Sequence, residues 1–113
     1  MSPNNSENGA PDPHSYLALA RQIRQSTLDT DGVAAISKGR ATEIATRWLG
    51  EKVVGVGVSQ ARVEVHVVAR YPGGFPIAEL AERLRDNLEP LVGGRRLDVV
   101  VDDLLIAHDN ATD

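Results

Sequence analysis

The chain has 113 residues, 42% of them apolar and 25% charged, which suits one globular domain and leaves no room for a second core. It contains no cysteine, so disulfide and thiolate chemistry are excluded. The net charge is −4, yet all 12 Lys and Arg and 12 of the 16 Asp and Glu fall between His14 and Ile106, so the body is neutral and lacks the basic stripe of a nucleic-acid binder. No apolar run approaches the roughly 20 residues of a bilayer span. Met1 to Asp12 show neither the basic start nor the apolar stretch of an export signal, and the expected location is cytoplasmic.

In chain order, residues 1–13 are rich in Asn, Pro, Ser and Gly and are expected to form a disordered tail. The folded domain is expected over residues 14–106, with a flexible tail at 107–113. A helix should begin near Pro13 or Ser15, because Leu17, Ala20, Ile23 and Thr27–Leu28 recur at helical spacing. Asp29-Thr30-Asp31-Gly32 stops it. Val33 to Ile36 reads as a short strand. Residues 38–50 fit either a loose strand or a short helix.

Val53 to Val58 alternates, with Val54, Val56 and Val58 on one face and Gly55 and Gly57 on the other. Glycine in a strand permits a bulge or a close backbone approach. Arg62 to Arg70 also alternates, with Val63, Val65, Val67 and Ala69 inward and Arg62, Glu64, His66 and Arg70 outward. Three residues separate these runs, so they should pair as an antiparallel hairpin. Pro72-Gly73-Gly74 ends it. Pro76 opens a second helix, whose core face is Ile77, Leu80, Ala81, Leu84, Leu88 and Leu91. Pro90 should kink or end that helix in its last turn, before Gly93-Gly94. Leu97, Val99 and Val101 form the inward face of a last strand, with Asp98 and Asp102 outward. The order is α-β-β-β-α-β: an α+β domain with a small mixed sheet of three to four strands and two helices on one side.

Residue chemistry offers few candidates. His14 and His108 belong to the ends and His66 stands alone on a strand, so no metal spacing arises. Glu64 and His66 resemble an acid–base pair, but alternation on a solvated strand produces such neighbours without chemistry. Asp102 and Asp103 should point to opposite faces and cannot chelate together. Gly55-Val56-Gly57 lacks the third glycine and the following helix of a dinucleotide fingerprint. Gly93-Gly94-Arg95-Arg96 is a basic turn that solvation explains. No catalytic, cofactor or metal residue is assigned. Candidate interface residues are Val53, Val68 and Val100, apolar side chains at outward positions, together with Trp48.

Asp31-Gly32-Val33, Gly55-Val56-Gly57-Val58 and the run Val63-Glu64-Val65-His66-Val67-Val68-Ala69-Arg70-Tyr71, with Gly73 after it, resemble the alkaline-shock-protein family of bacterial envelope stress proteins. The helix from Pro76 and the valine-rich strand ending at Asp103-Leu104 fit the same pattern. The resemblance covers nearly all of the folded part, and the glycine–valine hairpin ending in Val-Ala-x-Tyr is its specific piece. It implies a non-enzymatic cytosolic protein that gathers at the membrane through a membrane-anchored protein partner and supports the cell envelope. Self-association through the sheet or its edge is a further expectation. Two alternatives from other classes stay open: a nucleic-acid-binding module of the KH type, and a small enzyme using His66 and Glu64.

Overall fold

The structure is a computed structural model and describes residues 13–106. The expected tails at 1–12 and 107–113, and His108 with them, lie outside those residues. The elements are α1 (Pro13–Leu28), β1 (Val33–Ile36), β2 (Ala45–Trp48), β3 (Glu51–Val54), β4 (Val56–Val58), β5 (Arg62–Tyr71), α2 (Ile77–Val92) and β6 (Arg96–Ile106). Pro13 and His14, assigned to the ends by sequence, stand in the first turn of α1.

The class is α+β. The main sheet has four strands. β5 lies in its middle, because its alternating valines can be covered from one side while its backbone pairs on both edges. β6 runs parallel to one edge of β5, from Arg62↔Arg96 to Tyr71↔Ile106. The other edge is shared end to end by two antiparallel strands: β4 at Val56↔Val65 through Val58↔Val63, and β1 at Ile36↔Val67 through Val33↔Ala69. α2 supplies the crossover that a parallel β5–β6 pair requires. Both helices pack on one face. Leu17, Ala20 and Ile23 of α1 and Leu80, Leu84, Leu88 and Val92 of α2 are buried against Val63, Val65, Val67 and Ala69. Pro90 sits inside the last turn of α2 without ending it, and Gly93 closes the helix in the left-handed conformation.

Two strands more than expected precede α2. The ambiguous segment yields β2, and Val53 to Val58 is two strands, not one. Gly55 adopts φ +88 and turns the chain out of the main sheet. β3 pairs with β2 in a separate antiparallel hairpin, with Ala45↔Val54 through Trp48↔Glu51 in register. A Cβ at Gly55 would lie 1.9 Å from Ile36 Cγ2 and 2.7 Å from the Ser37 carbonyl oxygen, so only glycine lets β1 and β4 meet there. Thr46 joins the two sheets: its buried hydroxyl donates to the Val56 carbonyl at 2.7 Å and accepts from the Val58 amide at 3.0 Å.

This division corrects the position of Val53. The residue is 6% exposed and belongs to the core, because β3 lies under α1 rather than on the open face of the main sheet. Trp48 is half-buried and packs against the same core. Val68 and Val100 are half-buried on the face of the main sheet opposite the helices.

Candidate functional site

The helix-free face of the main sheet carries a continuous chain of polar side chains. β5 presents Arg62, Glu64 and His66 at alternate positions, and β6 presents Arg96, Asp98 and Asp102. Arg96 Nε donates to Asp98 at 3.1 Å, Arg62 Nε donates to Asp98 at 2.7 Å, and Arg62 also donates to Glu64 at 3.0 Å. His66 Nε2 lies 2.5 Å from Glu64 Oε2, and its Nδ1 lies 2.8 Å from Asp102 Oδ2. With the imidazole protonated, three cations alternate with three anions along this chain.

Asp102 reaches this position through a β-bulge. The ladder steps from Val67↔Val101 to Val68↔Asp103, leaving Asp102 as the extra residue of β6. The bulge and the segment between β1 and β2 overturn the expectation that His66 and Asp102 are solvated. His66 is 8% exposed and Asp102 is 7% exposed. The segment 37–44 crosses the outer face like a strap. Ser37 Oγ donates to Asp102 Oδ2 at 2.8 Å, Arg40 donates to the Asp102 carbonyl at 2.9 Å, and the Ser37 amide donates to the His66 carbonyl at 2.9 Å. The Gly39 amide in turn donates to Ser37 Oγ at 3.1 Å. At the far end, the Gly55 amide donates to the Ile44 carbonyl, and Ile44 lies over Gly57.

Burial works against a charge on His66, but the hydrogen bonds and charges of Glu64 and Asp102 outweigh it and hold the imidazole above its ordinary value of 6.5. Both ring nitrogens are committed to carboxylates. The Ser37 hydroxyl is turned to Asp102 rather than to the imidazole, so His66 does not activate it. Glu64 and His66 are thus brought together as the sequence suggests, but as links in an ion chain. Asp98 is held below the usual carboxylate range: burial opposes that shift, and the hydrogen bonds of Arg96 and Arg62 overcome it.

A second feature was not singled out from sequence. Tyr71, Leu104, Leu105 and Ile106 are all exposed large apolar residues at the shared end of β5 and β6. Tyr71 is the direct neighbour of Ile106. Successive strand residues face opposite sides, so Leu104 and Ile106 lie on one face and Leu105 on the other. A strand end that is apolar on both faces has the pattern of a strand covered on both sides. Among the described residues β6 pairs only with β5, so its other edge is open. The signal was present in the sequence: three consecutive large apolar residues, Leu104 to Ile106, following Asp103. Of the interface candidates, Val68 neighbours Asp103 in the ladder, next to this end, whereas Val100 and Trp48 lie away from it.

Among the described residues Leu49 is the most exposed large apolar one, at 81%, in the two-residue turn between β2 and β3. No family model, curated protein or solved structure matches the chain.

Proposed function

We propose that this chain is a non-enzymatic protein-interaction domain that receives a partner at the C-terminal end of β6. The observation that carries this is the exposed group of Tyr71, Leu104, Leu105 and Ile106 on a strand whose outer edge has no partner strand among the described residues. Such an edge supplies backbone donors and acceptors in register, and apolar side chains on both faces supply the contact area. The commitment of both His66 nitrogens supports a non-catalytic role. Against nucleic acid as the partner stands the pairing of Arg21, Arg47, Lys52, Arg62, Arg83 and Arg96 with carboxylates, which leaves those cations neutralised. No helix among the described residues is long and apolar enough to cross a membrane. The resemblance of the Gly55–Tyr71 hairpin to alkaline shock proteins adds the proposal that the partner is membrane-anchored and the role lies in cell-envelope homeostasis.

The test is affinity capture with the wild type, with Leu105→Lys and with Glu82→Lys, an exposed control position on α2. A partner set lost with Leu105→Lys and kept with Glu82→Lys is the expected result, with melting temperatures unchanged. Equal recovery by all three proteins, or loss in both variants, contradicts docking at this end.

A further inference from the structure

We propose that His66 is a proton-operated latch: charged, it fastens the strap of residues 37–44 across the outer face of the sheet, and neutral, it lets the strap go. The geometry is that of a keystone. His66 is the sole cation between Glu64 and Asp102 in a chain where every other link is already an arginine–carboxylate pair. A protonated ring donates to both carboxylates at once. A neutral ring has one N–H, so one carboxylate then faces a lone pair, and two like charges share a largely buried site. The strap feels this directly, because Asp102 is its main anchor: Ser37 binds the Asp102 carboxylate and Arg40 its carbonyl. The Gly39 amide depends on the same Ser37 hydroxyl.

The ionisable groups bonded to the ring or to its partners are Glu64 and Arg62 from β5, Asp102 and Asp98 from β6, and Arg40 from the strap, which also carries the exposed Lys38 and Glu43, the latter paired with Arg47 and Lys52. β4 consists of Val56, Gly57 and Val58 and contributes none. Histidine is the side chain of this cluster whose ordinary range of charge change lies near neutrality. Of the contacts that hold the strap, the Ser37–Asp102 hydrogen bond is the one that shares its carboxylate with the imidazole. The strap's near end is held by the Ser37 amide on the His66 carbonyl, the Ser37 hydroxyl on the Asp102 carboxylate and Arg40 on the Asp102 carbonyl; its far end is held by the Gly55–Ile44 hydrogen bond and the ion pairs of Glu43 with Arg47 and Lys52. The latch operates whether or not β6 docks a partner.

The test is an NMR titration that follows the His66 ring and the backbone amides of Ser37, Gly39, Leu84 and Leu88 in one sample. The expected result is a His66 midpoint above 6.5, with the Ser37 and Gly39 amides losing exchange protection about tenfold per unit of that elevation, while Leu84 and Leu88 do not respond. In His66→Gln the strap amides should lose their pH response. Ser37→Ala is the second variant: the Gly39 amide, which loses its acceptor, should exchange freely at every pH while His66 still titrates. Strap amides indifferent to the His66 titration, a response that persists in His66→Gln, or full Gly39 protection in Ser37→Ala would each overturn the proposal.

Discussion

Three residues set the local geometry, and each acts through a different force. Gly55 is steric: its φ of +88 and its contact with Ile36 both forbid a side chain. Gly55→Ala should destabilise the domain by more than about 2 kcal/mol, measured by chemical denaturation, since it adds backbone strain to a backbone clash. Leu84 is hydrophobic burial, fully enclosed between α2 and the sheet. Leu84→Ala should cost about 2–4 kcal/mol, and Val65→Ala less, because cavity formation adds to lost transfer energy. His66 is electrostatic. Its pKa is raised in the folded state, so its stabilisation is complete below the unfolded value and is lost as pH rises through the folded one. Thermal stability of the wild type should therefore decline between 6.5 and the more alkaline folded midpoint of His66, and in His66→Gln that decline should be absent. An identical alkaline slope in both proteins would remove His66 as its source. The sequence placed His66, Glu64 and Asp102 on the correct face. It missed the burial of His66 and Asp102, because the bulge at Asp102 and the strap over it are contacts between residues far apart in the chain.

At the scale of elements, periodicity was a good guide wherever one face alone is buried. β1, the β4–β5 hairpin with its three-residue turn, the buried face of α2 and the inward Leu97 of β6 all follow the apolar pattern. It failed at Val53 to Val58. The alternation runs unbroken there, but Gly55 sends its two halves into different sheets, and that switch depends on Ile36 rather than on any local signal. β2 was hidden for a related reason. Thr46 looks like a solvent-facing residue, yet its hydroxyl serves as the polar joint between β2 and β4. Thr46→Val keeps the shape and strips both hydrogen bonds, leaving the Val58 amide and the Val56 carbonyl short of a partner. The expected cost is about 1–3 kcal/mol, read from the urea midpoint. A midpoint within error of the wild type would mean that water replaces the hydroxyl.

Across the whole molecule, the two faces of the main sheet do different work. One is sealed by α1 and α2 into a single apolar core. The other is polar, tied shut by an ion chain and a strap, and offers little apolar area. The exposed large apolar residues lie elsewhere, at Tyr71 and Leu104 to Ile106 where β5 and β6 end, and at Leu49 in the β2–β3 turn. The docking proposal accordingly shifts the interface expected at Val53, Val68, Val100 and Trp48 toward the end of β6, next to which Val68 lies. The most direct measurement is hydrogen–deuterium exchange of the domain alone and in the complex captured with it. Docking at the open end of β6 predicts that the amides of Leu104, Leu105 and Ile106 gain protection in the complex while those on the exposed side of α2 do not. Unchanged exchange at Leu104 to Ile106, with protection gained on α2 or at Leu49, would contradict it.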